Sequence, residues 1–198
     1  MISLVVLAAG MSTRFGENKM LYPIDGEPMV RKVVKTALSS SVNEVIVIVG
    51  FEAEKVKEAL KGLGCKVVEN PDYATGGQSS SVRCGVKHVD KNAEAVMILP
   101  GDVAFIDANV INKVVEEYKR KRASIVVAAY KGKPGHPILF DRSLIPEILK
   151  IDEAGYGLKA VVNKHKEEVL YVEVNTPNVL LDIDSKADLS SKRIGEAS

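Results

Sequence analysis

The chain opens with a short apolar run that leads directly into a loop of small residues. The run at residues 2–7 is too short for a helix and rich in β-branched residues, so it predicts a buried strand. The loop contains Gly10 and Gly16, whose backbone N–H groups can approach an anion closely and form an anion-binding concavity. Arg14 and Lys19 would add charge-assisted hydrogen bonds. Strand and loop together predict a polyphosphate site.

Two common phosphate-binding loops are excluded by spacing. A Walker A loop has four residues between its glycines and then Gly-Lys, whereas five residues separate Gly10 from Gly16 here and Glu17 follows. The dinucleotide fingerprint needs a closely spaced glycine triplet, which this part of the sequence lacks. An ordinary turn of small residues after a first strand is the alternative interpretation.

The loop resembles the signature LAAG-x-S-x-R-x-G-x-x-K of the MobA-like NTP transferases, and most of all that of the molybdenum-cofactor cytidylyltransferase branch. The matching positions are Leu7, Ala8, Ala9, Gly10, Ser12, Arg14, Gly16 and Lys19. The resemblance implies that Arg14 and Lys19 are catalytic and that the other matching residues bind the nucleotide. It also implies transfer of a nucleotide unit from a nucleoside triphosphate to a phosphorylated small molecule. CTP is the favoured donor with GTP possible, and molybdopterin is the favoured acceptor.

Apolar runs and amphipathic segments alternate along the chain. The apolar runs predict strands at 44–50, 65–68, 94–99, 124–130 and 168–174. The amphipathic segments predict helices at 28–38, 52–62, 79–89, 107–122, 144–149 and 158–165. Loops are predicted at 70–78, 131–137 and 152–157. The βαβαβ opening is typical of a parallel sheet with right-handed crossovers. The resemblance adds a single α/β, three-layer, Rossmann-like domain with a mostly parallel mixed sheet over residues 1–190. A polar tail is predicted at 191–198.

A serine-rich helix start supplies further candidates for nucleotide contacts. The resemblance covers an Asn-Pro…Gly…Ser-x-Arg-x-Gly stretch that helps to recognise the base and ribose. In this sequence it reads Asn70, Pro71, Gly76, Ser81, Arg83 and Gly85. Gln78, Ser81 and Arg83 are therefore predicted to face the nucleotide. A serine-capped helix start with a solvated arginine is the alternative interpretation.

An aspartate follows the fourth predicted strand, and two more lie near the end of the chain. Asp102 comes directly after the strand and a Pro-Gly pair, at the edge where parallel sheets bind ligands. A solvated turn aspartate is the alternative. The resemblance implies that Asp102 holds Mg²⁺ together with a second acidic residue. Asp182 and Asp184 both fit that second place, and Asp182 is preferred.

The acceptor side is predicted from a Gly-His-Pro-x-x-Phe element at residues 135–140. Its His136 resembles a family residue beside the acceptor pocket, although a lone histidine is otherwise more often structural. The family's Gly-Asp-x-Gly-x-Arg arrangement is absent near residues 152–157, and Lys159 stands near the expected arginine. Lysine and arginine differ in hydrogen-bond geometry. After Asp102, Val103 and Ala104 stand where this branch of the family usually has Gln-Pro. The sequence therefore does not determine the identity of the acceptor molecule.

Composition indicates a globular domain. The 198 residues carry a net charge of +1 and are 46% apolar, which favours one domain with a full core and neither nucleic-acid nor membrane partners. Cys65 and Cys84 are isolated, so a reduced cytoplasmic setting is expected. The sequence does not indicate the oligomeric state.

The sequence leaves two alternative functions open. One is transfer of the nucleotide unit to a sugar phosphate or other small alcohol, and the other is a non-catalytic nucleotide-binding module.

Overall fold

The computed structural model describes residues 1–189, so the tail predicted at 191–198 lies outside the described residues. The strands are β1 (Ile2–Ala8), β2 (Pro23–Ile24), β3 (Glu27–Pro28), β4 (Glu44–Val49), β5 (Lys66–Glu69), β6 (Ala95–Pro100), β7 (Ile125–Tyr130), β8 (Lys133–Asp141) and β9 (Val169–Glu173). The helices are α1 (Met29–Leu38), α2 (Ala53–Ala59), α3 (Gly77–Lys87), α4 (Ala108–Lys121), α5 (Ile145–Ile148) and α6 (Leu158–Lys164). The predicted α/β fold is confirmed.

A seven-stranded mixed sheet forms the middle layer, in the order β5-β4-β1-β6-β8-β7-β9. β1 pairs in parallel with β4 and β6, whereas β8 runs antiparallel to both β6 and β7. Ile98 of β6 lies opposite Ile138 of β8. The first residues of β8 therefore lie at the same sheet edge as the carboxyl ends of β1 and β6, where ligands of open α/β sheets bind.

Side chains of β1 alternate between the two faces of the sheet. Leu4 and Val6 join a core that includes residues of α1 and α4, whereas Val5 and Leu7 join a core with residues of α3, α5 and α6. The period of two follows from the pleat of a strand. Because both faces are covered, the whole of β1 is buried, as the apolar run at its position predicts.

Some local predictions are wrong. The loop predicted at 131–137 is largely strand, because β8 begins at Lys133 and includes His136. Glycines and prolines indicate a loop locally, but the pairing of Lys133 and Pro134 with β7, and of the residues from Ile138 onward with β6 and β7, overrides that preference. The ladder between β7 and β8 shifts register between Val127 and Ala129, as expected where prolines lack an N–H donor.

Two further differences concern helix starts and a missed hairpin. α3 begins at Gly77, so Gln78 lies in the helix and not in the predicted loop at 70–78. α2 is shorter than predicted and begins at Ala53, because Glu52 has a φ of +50° outside the helical range. β2 and β3 form a two-stranded hairpin around Asp25, whose two-residue strands are too short to give an apolar pattern. Among the described residues, none of the helices has the length and apolar character needed to cross a bilayer.

Candidate active site

The loop after β1 forms one wall of a cavity at the carboxyl edge of the sheet. The cavity has a volume of about 320 Å³, close to the lower limit for small-molecule sites. Its other walls come from the loop before α3, the first turn of α3 and the end of β6. The lining residues are Leu7, Ala8, Ala9, Gly10, Met11, Ser12, Thr13, Lys19, Met20, Tyr73, Ala74, Gly77, Gln78, Ser81, Pro100 and Asp102.

Local hydrogen bonds fix the backbone of Lys19. Its N–H donates to Ser12 Oγ at 3.2 Å, and Ser12 itself adopts a left-handed φ of +53°. Lys19 begins a short 3₁₀ helix that Asn18 caps by accepting from the Met20 N–H at 3.1 Å. Asn18 also donates to the carbonyl of Phe51 at 3.0 Å, which ties the loop to the end of β4. The loop therefore presents Lys19 to the cavity from a fixed backbone.

Close backbone contacts hold Asp102 beside Lys19. The N–H of Gly101 donates to the Leu7 carbonyl at 2.9 Å, and a Cβ at Gly101 would lie 2.8 Å from Met20 Sδ and 2.9 Å from that carbonyl. Glycine is therefore required where β6 ends against β1. The Asp102 carbonyl in turn accepts from the Ile183 N–H at 3.1 Å, so the C-terminal segment lies against the same turn.

Lys19, in the loop after β1, contacts both the turn after β6 that carries Asp102 and the C-terminal segment at residues 183–184. Its Nζ lies 2.5 Å from Asp102 Oδ2, 3.0 Å from the Ile183 carbonyl oxygen and 3.5 Å from Asp184 Oδ1. Arg14 reaches the same segment, with its Nη2 3.1 Å from Asp184 Oδ2. Two predicted catalytic cations and two predicted acidic residues therefore form one connected network.

Asp182 and His136 lie within electrostatic range of Asp102. Burial raises the pKa of Asp182, and the negative charges of Asp102 and Asp184 raise it further, while His136 opposes the shift. Burial lowers the pKa of His136 against the opposing effect of Asp182 and Asp102, which favours a neutral imidazole.

The C-terminal segment lies close to β8 at Gly135. A Cβ at Gly135 would lie 2.2 Å from the Val179 carbonyl oxygen. That glycine lets the C-terminal segment pack directly on β8.

The start of α3 is held by a buried amide. Asn70 is 3% exposed and donates to Ser80 Oγ at 2.8 Å and to Ser81 Oγ at 3.1 Å. Gln78 and Ser81 line the cavity, and their predicted contact with the nucleotide stays a prediction. The Arg83 guanidinium instead donates to the Ile151 carbonyl, and Arg83 is not among the lining residues. Its predicted role in nucleotide recognition stays a prediction.

The loop at 152–157 packs on the same helix start. Glu153 Oε1 accepts from the Ser79 N–H at 2.5 Å, and Gly157 approaches Ser79 so closely that a Cβ would lie 2.8 Å from its Oγ. Lys159 follows in the first turn of α6 and is exposed. It does not line the cavity, so its predicted contact with the acceptor stays a prediction.

The structure brings together most of the predicted nucleotide-site residues. Leu7, Ala8, Ala9, Gly10, Ser12, Lys19, Gln78, Ser81 and Asp102 all line the cavity. Gly16, with a φ of +82°, shapes the loop but does not line it. Sequence reasoning missed Tyr73, the Ile183 carbonyl and Glu153. The Asn-Pro stretch indicates the loop that carries Tyr73. No sequence pattern indicates that the Ile183 carbonyl contacts Lys19 or that Glu153 accepts a hydrogen bond at the start of α3.

The acidic residues fit a divalent cation. Asp102 Oδ1 and His136 Nδ1 are buried and have no hydrogen-bond partner among the described residues, so the aspartate oxygen has unused acceptor capacity. Within residues 1–189, no three His, Cys, Asp or Glu side chains are arranged to hold a metal. This part of the chain therefore offers fewer than three such ligands at this place. This suits a hard cation such as Mg²⁺, which can take its remaining ligands from phosphate and water oxygens.

Comparison with known proteins decides the family. Residues 4–169, from β1 to the first residue of β9, match the family described as the MobA-like NTP transferase domain. This chain belongs to that family. Its relatives are nucleotidyltransferases, so the predicted class of enzyme is confirmed.

Two relatives show how far the MobA-like transferase resembles characterised enzymes. The molybdenum cofactor cytidylyltransferase of Escherichia coli strain K12 is 25% identical over 189 residues, which cover 94% of this chain and 93% of that protein. The bifunctional protein GlmU of Sorangium cellulosum strain So ce56 is 37% identical over 112 residues, or 54% of this chain. That match covers only 24% of the GlmU length.

Solved structures share the fold over the full chain. Rv0371c from Mycobacterium tuberculosis H37Rv has a TM-score of 0.83 at 25% identity, with 98% of this chain and 97% of that chain covered. A second structure of Rv0371c, described as a complex with manganese, has a TM-score of 0.81 at 24% identity and covers 100% of this chain and 99% of that chain. The three-layer architecture of the MobA-like transferase is thus shared by a protein of nearly equal extent.

Proposed function

We propose that this MobA-like transferase moves a CMP unit from CTP to a phosphorylated small-molecule acceptor of the molybdopterin type and releases pyrophosphate. GTP is the second candidate donor. The convergence of Lys19, Asp102 and the 182–184 segment at the cavity carries this proposal. Similarity to the Escherichia coli molybdenum cofactor cytidylyltransferase along nearly the whole chain supports the acceptor class. The cytoplasmic location expected from the sequence stays a prediction.

The reaction needs positioning and charge neutralisation more than covalent chemistry. An acceptor phosphate oxygen bonds to the α-phosphorus of the triphosphate while the bond from that phosphorus to the bridging oxygen breaks, and pyrophosphate leaves. Backbone N–H groups of the first loop and the Arg14 guanidinium bind the leaving phosphates. Lys19 neutralises the charge that develops on the α-phosphate. Gln78 and Ser81 orient the base and ribose from the start of α3.

The acidic residues would hold Mg²⁺ at this site. Asp102 is the first ligand, because its Oδ1 has no other partner among the described residues. Asp182 is the preferred second ligand and Asp184 the alternative. Mg²⁺ bound there would neutralise phosphate charge and align the reacting oxygens. The proposal needs no nucleophilic side chain, and Ser12 and Ser81 serve as hydrogen-bonding residues.

A sugar phosphate or another small phosphorylated alcohol is the second candidate acceptor. The 37% identity to GlmU over 112 residues supports it. The replacement of the family's Gly-Asp-x-Gly-x-Arg arrangement by a loop with Lys159 nearby supports it as well. Both candidates share the nucleotide half of the reaction and differ only at the acceptor.

A donor and acceptor scan tests the proposal. Pyrophosphate release is measured with each of the four nucleoside triphosphates and Mg²⁺, with molybdopterin, with sugar 1-phosphates and without acceptor. The proposal expects release with CTP that depends on molybdopterin. Release only with a sugar phosphate would favour the second candidate, and no release with any pair would overturn nucleotidyl transfer by this protein.

A further inference from the structure

We infer that, in the nucleotide-free protein, the ammonium of Lys19 holds the Asp102 carboxylate that would bind the divalent cation, so that ion and triphosphate bind as a pair. The inference rests on the proposed function and concerns the order in which the ligands of that site bind. It follows from the oxygen atoms around Lys19 Nζ, from the burial of the side chain and from the charges beside it.

Three oxygens surround Lys19 Nζ. They are Asp102 Oδ2 at 2.5 Å, the Ile183 carbonyl oxygen at 3.0 Å and Asp184 Oδ1 at 3.5 Å. An ammonium has three N–H donors, so these partners use all of them. Carboxylate and carbonyl oxygens are also the ligands that Mg²⁺ and Mn²⁺ prefer. Asp102 Oδ1, the oxygen left for a divalent cation, belongs to the carboxylate that Lys19 holds through Oδ2, so the ammonium and the cation compete for the charge of Asp102.

Burial and charge make this competition effective. The side chains of Lys19 and Asp102 are only 15% and 16% exposed, so solvent screens their interaction weakly. The guanidinium of Arg14 lies 3.1 Å from Asp184, on the outer side, where Arg14 is 77% exposed. Lys19 and Arg14 thus neutralise the charges of Asp102 and Asp184, which reduces the attraction of the site for a free dication.

A bound triphosphate would attract the ammonium of Lys19 away from Asp102. Its charged oxygens would bind in the cavity that Lys19 already lines, within reach of a flexible four-carbon stem. The Lys19 backbone stays fixed by the hydrogen bond to Ser12, so only the side chain has to turn. Once the ammonium faces the phosphates, Asp102 is free for the ion that the phosphates also bind.

Binding of Mn²⁺ alone, as a paramagnetic probe, tests the inference without turnover. The electron spin resonance signal of free Mn²⁺ is titrated with the full chain in the absence of nucleotide. We expect Lys19→Met to bind Mn²⁺ roughly tenfold more tightly than the wild type, because a unit positive charge has been removed from the site. Lys35→Met is the matched control, since Lys35 pairs with Glu27 at 3.0 Å outside the cavity. It should leave Mn²⁺ affinity unchanged.

Two further variants locate the ion and guard against a folding defect. Adding Asp102→Asn to Lys19→Met should abolish the gain in affinity, and a retained gain would overturn the inference. Lys19→Gln keeps a hydrogen-bond donor for Asp102 and replaces Lys19→Met if that variant fails to fold. Equal Mn²⁺ affinity of the wild type and the folded Lys19 variant would also overturn it. Failure of the wild type to release pyrophosphate from any triphosphate overturns the proposed function instead, and the Mn²⁺ comparison still decides the role of Lys19.

Discussion

The proposed nucleotide side and the proposed acceptor side of the site are built in different ways. The nucleotide side comes from one strand and the loop that follows it, supported by the start of α3. The acceptor side combines three segments that lie far apart in sequence: β8, the segment around Asp182 that packs on it at Gly135, and the 152–157 loop, which packs on the start of α3. Phosphate chemistry can therefore stay constant while acceptor contacts change.

This difference predicts unequal responses to substitution. Residues of the nucleotide side are proposed to act on charge in the transition state, so their removal should lower the maximal rate. Residues of the acceptor side should change KM for one substrate and leave the other substrate's KM unchanged. The predictions below test that division from the largest expected effect to the smallest.

Replacement of Asp102 should have the largest effect. Asp102→Ala removes the proposed metal ligand and leaves Lys19 without its nearest partner. We expect turnover with CTP and Mg²⁺ to fall by about 10³-fold, as when one preorganised electrostatic group is lost. Asp107→Ala is the control: it removes the α4 cap and costs about 1 kcal/mol of stability, with turnover unchanged. Full activity of Asp102→Ala, or activity without divalent metal, would contradict the two-carboxylate site.

Lys19→Ala should have the next largest effect. Lys19 lines the cavity, and we expect turnover to fall by about 10²-fold or more while the protein stays folded. Rates of pyrophosphate release are compared with those of Lys35→Ala, whose ion pair with Glu27 is exposed and should contribute little. Near-normal turnover of folded Lys19→Ala would remove Lys19 from the mechanism.

Sequence predicts the nucleotide side well because its determinants are local. The apolar run of β1 and the spacing of Gly10, Ser12 and Lys19 lie within one stretch of chain, and the cavity contains these loop residues. The position of Asp102 follows because carboxyl ends of parallel strands share one edge.

The acceptor side was harder to predict because its geometry depends on distant pairing. Gly135 and Pro137 predicted a loop, yet the segment is strand, because Lys133 and Pro134 pair with β7 and the strand continues from Ile138 between β6 and β7. On the nucleotide side the same difficulty applies to Arg83, which binds the Ile151 carbonyl, a partner 68 residues away that no local pattern indicates. The same holds for Glu153 at the start of α3.

Lys159 tests the acceptor side with a smaller effect. It is exposed in the first turn of α6, beside the loop that packs on α3. We expect Lys159→Ala to raise KM for the phosphorylated acceptor roughly tenfold, since one charge-assisted contact is lost, with KM for CTP unchanged. Lys164→Ala is the control at the other end of α6, where Lys164 pairs with Glu147 at 3.0 Å. A rise in KM for CTP would instead place Lys159 on the nucleotide side.

The smallest expected effect is a pH dependence confined to α6. His165 follows that helix and contacts Glu168 and Glu147, each at 3.0 Å, and these hydrogen bonds raise its pKa above 6.5. A raised folded-state pKa means that the contribution to stability is complete below pH 6.5 and is lost as pH rises through the folded-state value. Hydrogen-exchange protection of residues 158–164 should therefore fall as pH rises above 6.5, while that of α3 stays constant.

A variant shows whether His165 causes that change. His165→Gln keeps a polar side chain that does not titrate, so protection of α6 should become independent of pH over the same range. Protection factors are corrected for the intrinsic pH dependence of exchange, and α3 in the same sample serves as the internal reference. Persistence of the pH dependence in His165→Gln would assign it to another group. Equal pH dependence in both helices would show that the two sides of the site do not differ in this respect. The acceptor side would then differ from the nucleotide side in substrate contacts alone.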